Sequence, residues 1–279
     1  MKKTISLVVT LFVLLAVFTG CKKTQKQGTE AGGVRKIIVG FANSKPVHYV
    51  DDDGTYKGCD IEAAKLVDEL LPDYVFEFVP LDQTAVFAGL QSGRVQMGLT
   101  NSFYTAERAE KYLQPRENLG ASTVGFITRA EFTDVKTIED LSDKGLRMAP
   151  IITGDGNYYI LLQWNKTHPD KQIKLNVTDD NHATGIDWVA EGRYDFSMLP
   201  RYYFEALVEA PDGPYHKYKD ILIHRVVGST ETWSFLAKGE EEFEAKLSEA
   251  IAKLKAQGKL EELSIKWFGY NNWEYLKNK

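Results

Sequence analysis

Asp60-Ile61-Glu62-Ala63-Ala64-Lys65-Leu66-Val67-Asp68-Glu69-Leu70-Leu71-Pro72-Asp73-Tyr74-Val75-Phe76-Glu77-Phe78-Val79 decides the fold class. Ile61, Ala64, Val67 and Leu71 recur at spacings of three and four, which puts them on one face of a helix. Pro72 brings no backbone N–H, so the helix is expected to stop before it. Tyr74 to Val79 is then apolar and aromatic apart from Glu77, the composition of a strand. Upstream, Ile37, Ile38 and Val39 form a buried-strand run that ends at Gly40, and Asp53-Gly54 is a turn signal.

The same alternation runs to the end of the chain. Helices are expected over 82–90, 105–113, 157–164, 182–191 and 202–208, and strands over 95–99, 124–128, 146–152, 173–177 and 196–199. Two further strands are expected over 221–227 and 232–237. Phe243, Leu247, Ile251, Leu254, Leu260, Leu263 and Trp267 continue as an amphipathic helical stripe. Alternating strands and helices predict an α/β fold with mainly parallel sheets. No composition shift marks a linker, which fits two units that share strands.

The 279 residues carry 43% hydrophobic and 26% charged side chains and a net charge of −5, which excludes a disordered chain, a collagen, a coiled coil and a polytopic membrane protein. Nothing requires a basic face, so no nucleic-acid partner is expected. Two cysteines are too few for a disulfide scaffold or a cysteine-built zinc site. The five histidines lack metal-ligand spacing and read as surface or satisfied polar residues. There is no phosphate loop, dinucleotide loop or nucleophile elbow. Asp51-Asp52-Asp53-Gly54 places its glycine wrongly for an EF-hand and reads as a solvated hairpin turn. No cofactor, metal or catalytic residue is implied.

The N-terminus reads as an address. Lys2 and Lys3 precede an apolar run from Ile5 to Phe18, which ends at Thr19-Gly20-Cys21. A charged start, a short apolar core and a small-residue exit describe an export signal over 1–20. Phe18-Thr19-Gly20-Cys21 resembles the bacterial lipobox, with phenylalanine where leucine is usual. That resemblance implies cleavage before Cys21, its acylation with palmitate-type chains, and a tether over 21–33. Cys59 then has no disulfide partner and reads as a small buried side chain.

Five stretches resemble one family in order and spacing: Gly58-Cys59-Asp60-Ile61-Glu62; Leu90-Gln91-Ser92-Gly93 running into Thr105-Ala106-Glu107-Arg108; Thr137-Ile138-Glu139-Asp140-Leu141; Glu191-Gly192-Arg193-Tyr194-Asp195; and Gly258-Lys259-Leu260 through Lys266-Trp267-Phe268-Gly269. They resemble the solute-binding proteins of bacterial polar amino-acid ABC importers. The resemblance implies the two-lobe, type II periplasmic-binding-protein fold, with lobe one over 34–126 plus 228–279 and lobe two over 127–227. Two crossing strands near Gly125 and Val227 would join them. It implies a monomeric, lipid-anchored receptor in a periplasm or on the outer face of the cell. Such a receptor closes on an amino acid or related small carboxylate and delivers it to a membrane permease. A surface sensory module and a dehydratase on the same fold are the alternatives.

The resemblance also places the site. Arg108 falls where the family clamps the ligand carboxylate, and a guanidinium matches two carboxylate oxygens with two parallel donors. Gly154, Asp155, Gly156 and Asn157 match a second loop that touches the carboxylate. Phe103 stands where the family has threonine or serine, leaving Asn101, Ser102 or Thr105 to compensate. Phe41, Tyr49, Phe103, Tyr104 and Tyr202 are candidate aromatic walls. Two acids that hold the ligand ammonium in the family are missing: Pro200 occupies one position, and Gly40-Phe41-Ala42-Asn43 lacks the other. Asp155 or another acid takes over, or neutral oxygens bind the amine, or the ligand is not a simple α-amino acid.

Overall fold

The computed structural model describes residues 33–152, 155–178 and 184–276. Cys21 and the export signal before it, and Gly154, lie outside the described residues. The first part of the fold builds outward from β1 (Arg35–Phe41), whose inward residues Ile37, Val39 and Phe41 are fully buried. A hairpin of β2 (Tyr49–Val50) and β3 (Tyr56–Lys57) follows, closed by the turn expected at Asp53-Gly54. Then come α1 (Cys59–Leu70), β4 (Tyr74–Pro80), α2 (Gln83–Ser92), β5 (Met97–Ser102) and α3 (Ala106–Lys111). Strand β1 pairs in parallel with both β4 and β5.

The chain then crosses on β6 (Gly120–Arg129). Beyond it lie α4 (Ile138–Asp143), β7 (Ile151–Ile152), α5 (Gly156–Thr167), β8 (Val177–Thr178), α6 (Thr184–Ala190), β9 (Phe196–Pro200) and α7 (Arg201–Phe204). A π-helical turn over Glu205–Glu209 extends α7. The return is β10 (Leu222–Leu236), followed by α8 (Glu241–Ala256) and α9 (Lys259–Phe268).

The six long strands are ordered β4-β1-β5-β10-β6-β9. The sheet is mixed, not mainly parallel: β10 runs antiparallel to β5 and β6, and β6 antiparallel to β9. The reason is connectivity, because a chain that leaves on β6 and returns beside it on β10 must run backwards. The two strands expected over 221–227 and 232–237 are one continuous β10, bent at a register shift between Val226 and Gly228. Gly125 sits at that bend, where a Cβ would lie 2.0 Å from the Arg225 carbonyl oxygen, so only glycine lets the two backbones approach this closely. The strand expected over 173–177 shrinks to β8 and that over 146–152 to β7.

Burial divides around the crossing strands. Helices α1, α8 and α9 cover a core of Ile37, Val39, Phe41, Phe243, Leu247 and Ile251. Beyond the crossing, Phe126, Leu141, Leu161 and Phe196 centre one core, while Ile127, Ile186 and Phe204 centre a neighbouring one. Cys59 packs against the first core, and burial pushes its thiol well above its ordinary pKa, which leaves it unreactive.

Asp60, in the first turn of α1, is an exception to apolar packing. It is 6% exposed, and its carboxylate meets the start of β6 near Gly120. Desolvation raises its pKa from 3.8 to about 7. The folded state therefore holds a proton between those values that the unfolded state gives up. Its contribution to stability falls as pH rises through that window. Asp60→Asn, neutral at every pH, should melt close to wild type near pH 4 and above it at pH 8, with a gain on the order of 4 kcal/mol as an upper figure. Thermal unfolding across pH 4–8 checks this; a variant-minus-wild-type difference that stays flat with pH refutes it.

Candidate functional site

A cleft of about 780 Å³, counted with its mouth, opens where the ends of β1, β5, β9 and the start of α5 meet. Its floor on one side is the end of β5. Asn101 adopts a left-handed backbone, φ 47°, a conformation that asparagine tolerates better than most residues. Its Nδ2 donates to the Tyr202 hydroxyl at 3.1 Å, which ties β5 to α7. Burial pushes the Tyr202 phenol far above its ordinary pKa, so it remains a protonated hydroxyl.

Past the end of β5 the chain turns into α3. Thr105 caps it, its Oγ1 accepting from the Arg108 N–H at 3.1 Å. This cap orients the first turn, and the Arg108 side chain folds back so that Nη1 donates to the Phe103 carbonyl at 2.8 Å. The guanidinium also lies 5.7 Å from the Phe87 ring centroid. Desolvation lowers its pKa, and the Asp155 charge opposes that shift. Half-buried arginine therefore presents its remaining donors to the cleft, where low solvent access strengthens a contact to an anion.

The opposite wall is the entry to α5. The Asp155 side chain caps it, accepting from the Asn157 N–H at 2.7 Å. Gly156 admits the Phe103 ring, for a Cβ there would sit 1.7 Å from Phe103 Cδ2. Phe103 thus packs against the Gly156 backbone across the cleft. Nearby, Tyr104 meets Tyr159 edge-on at 6.4 Å.

The structure brings Arg108, Asn101, Phe103, Asp155, Gly156 and Asn157 together on the cleft. It does not bring Phe41 or Thr105 there. Phe41 is fully buried in the core, against His48 and Tyr56, because its position on β1 points to the helix-covered face. Thr105 is spent on its cap. Among the other aromatic candidates Tyr202 lines the cleft, while Tyr49 packs edge-on against Trp267 and Tyr104 is 41% exposed.

Sequence reasoning missed His48, Gln83 and Tyr203, which also line it. His168 and His216 accept or donate locally, and His224 bonds the Leu199 carbonyl, as satisfied polar residues should. His48 breaks that pattern: it is 1% exposed, and its Nε2 has no partner among the described residues. Pro200 does line the cleft, so the wall there carries no carboxylate. Arg108 and Asp155 are the cleft's charged side chains among the described residues. No group of three metal-ligating side chains occurs among the described residues.

A family model for bacterial extracellular solute-binding proteins, family 3, matches residues 37–270. The L-cystine-binding protein TcyJ of Bacillus subtilis is 25% identical over 264 residues, covering 93% of this chain and 94% of that protein. A probable amino-acid ABC transporter-binding protein of Haemophilus influenzae is 25% identical over 239 residues, covering 85% and 86% respectively. A structure from a study of glutathione import through GshT and the cystine importer TcyBC of Streptococcus mutans superposes with TM-score 0.65 at 25% identity, over 85% of this chain and 96% of that one. The open, unliganded L-cystine solute receptor of Neisseria gonorrhoeae shares the fold at TM-score 0.58 and 22% identity, over 85% and 93%.

The Phe103–Gly156 contact generates a prediction. Gly156→Ala pushes a methyl group into the ring, and it should weaken binding of any ligand that the closed cleft holds by about tenfold, the scale of a modest overpacking cost. Phe103→Ser in the same chain removes the obstacle and should restore most of the loss. Isothermal titration of the single and double variants checks it; an alanine variant that binds like wild type shows that this contact does not govern closure.

Proposed function

The chain belongs to the bacterial extracellular solute-binding proteins of family 3, and on that premise we propose that it captures an L-amino acid, L-cystine first among the candidates, and hands it to an ABC permease. The observation that carries this reading is Arg108. Its guanidinium lines the cleft with Nη1 held by the Phe103 carbonyl, while the Thr105 cap fixes the Arg108 backbone, which sets the arginine for a carboxylate. The relatives supply the ligand class, since cystine and amino acids recur in their names.

Lobe one comprises 34–126 plus 228–279 and lobe two 127–227, in this reading, with the bend at Gly125 and Val226/Gly228 as the hinge. The burial pattern and the register shift support that division. A ligand touching Arg108 on one lobe and the α5 entry on the other favours the closed state by its contacts to both. The monomer releases its ligand unchanged to the permease. It is held at the outer face of the membrane, or in a periplasm, by acyl chains on Cys21. Two or three chains give a stable anchor where one is marginal. No helix among the described residues is long and apolar enough to cross a membrane.

Two experiments test the proposal. In the first, the full chain in detergent is unfolded, refolded to strip bound ligand, and melted with L-cystine and each common L-amino acid. Ligand at 1,000 times its Kd should stabilise by about 4 kcal/mol, a shift of several degrees. Arg108→Ala should cost at least about a hundredfold in affinity, roughly 3 kcal/mol, the scale of truncating one partner of a buried charge pair. An unshifted panel, or a variant that binds as well as wild type, sinks the clamp. In the second, expression of Cys21→Ser should abolish palmitate labelling and move the protein out of the membrane fraction. Retention of both label and membrane association by the variant excludes Cys21 as the anchor.

A further inference from the structure

The cleft holds two acceptors that neither the carboxylate clamp nor the fold uses. His48 lies in the turn after β1, where Ser44 and His48 exchange backbone hydrogen bonds at 2.7 and 3.0 Å. That turn fixes the ring, and Nδ1 bonds the Ala42 carbonyl. A carbonyl only accepts, so Nδ1 carries the proton. Nε2 is then a bare lone pair as long as the ring is neutral. Burial keeps it neutral by lowering its pKa to about 4. Nε2 has no hydrogen-bond partner among the described residues, although the residue is 1% exposed and lines the cleft. Across the cleft, Asn157 is 3% exposed, and its Oδ1 has no partner among the described residues. A buried polar atom left unpaired costs stability, so two on one cavity point to a ligand that supplies donors.

The two charged groups of the cleft act on each other: Arg108 only donates, and Asp155 accepts from the Asn157 N–H while its charge acts on Arg108. Pro200 brings no acid. We propose that His48 Nε2 and Asn157 Oδ1 are the acceptors that read the N–H groups of the bound amino acid, so this cleft recognises the amine with neutral atoms from its two walls. The inference rests on the amino-acid reading above and adds the residues that distinguish an amino acid from a plain carboxylate. Neutral acceptors in a water-poor site select N–H donors by geometry, because a ligand lacking them leaves both atoms unsatisfied.

Two probes separate amine recognition from general fit: L-cystine, and 3,3′-dithiodipropionate, which is cystine without its amino groups. Both are titrated calorimetrically into the full chain in detergent. Wild type should prefer cystine by at least about a hundredfold, from two lost contacts at about tenfold each. His48→Phe and Asn157→Val should each weaken cystine about tenfold while leaving dithiodipropionate within about twofold. Equal losses on both probes, or no loss, overturn the proposal, because the residues would then only shape the wall. His48→Phe also removes the bond to Ala42; if it fails to fold, Asn157→Val carries the comparison. Arg108→Ala weakens both probes alike, so failure of the clamp is told apart from failure of the amine reading. If wild type binds neither probe, the same comparison is made with the L-amino acid that shifts the melt and its desamino acid; if no amino acid shifts it, the parent reading falls and this inference falls with it. The ¹⁵N spectrum of the ligand-free imidazole tests the tautomer separately, and a proton on Nε2 overturns the assignment.

Discussion

The antiparallel pairing of β6 with β10 is the constraint on which the rest of the molecule depends. Both strands run unbroken through the middle of the sheet, and their register shifts once, between Val226 and Gly228 opposite Gly125. What lies before β6 packs, with β10 and the C-terminal helices, on two cores, and what lies between β6 and β10 packs on others. A hydrogen-bonded pair is stiff along its ladder and compliant where the ladder slips. The cleft therefore forms beside the pair, lined by the ends of strands that lead into it. Arg108 and Tyr202 come from distant parts of the chain, yet each follows directly on a strand of that sheet, β5 and β9, while Asn157 follows the separate β7.

The fold was legible because its periodicities are strong. The α1 stripe of Ile61, Ala64 and Val67 and the α8 stripe of Phe243, Leu247 and Ile251 both appear as buried helix faces. Cores read out this way because burial is a local property of spacing. Strand direction is not local. Nothing in residues 221–237 states that β10 is one strand, because Gly228 at φ 156° is a bend that reads, in sequence, as an end. The short β7 and β8 show the opposite error: apolar runs that fill a core without pairing for their full length.

The site was legible where a motif carried it and opaque where only packing did. Thr105 and Arg108 stand in a helix-start motif, and the α5 entry is marked by Asp155-Gly156. Phe41 and Phe103 illustrate the limit. Both are aromatic and both were candidate walls, but inward alternation on β1 buries Phe41, and the end of β5 delivers Phe103 to Gly156. Whether an aromatic faces core or cleft depends on the last residue of a strand, which is the boundary that sequence patterns locate worst. His48 and Gln83 carried no signal, since one is an isolated histidine in a turn and the other opens a helix.

The electrostatics of the cleft explain why missing acids need not mean a missing amine. One guanidinium and one carboxylate line the described walls, so their charges nearly balance before any ligand arrives. An additional buried carboxylate would have to be held ionised among Phe103, Leu199 and Pro200, against a desolvation cost that already raises Asp60 to about 7 in its own apolar setting. A zwitterion brings its own compensating charge. Its carboxylate can meet Arg108, and its amine then needs acceptors more than it needs a counter-charge. Neutral imidazole and amide acceptors provide that at smaller desolvation cost when the cleft is empty, which matters to a receptor that must open and empty on every cycle. Affinity in such a site comes from closure over correctly paired groups and not from a fixed excess of charge.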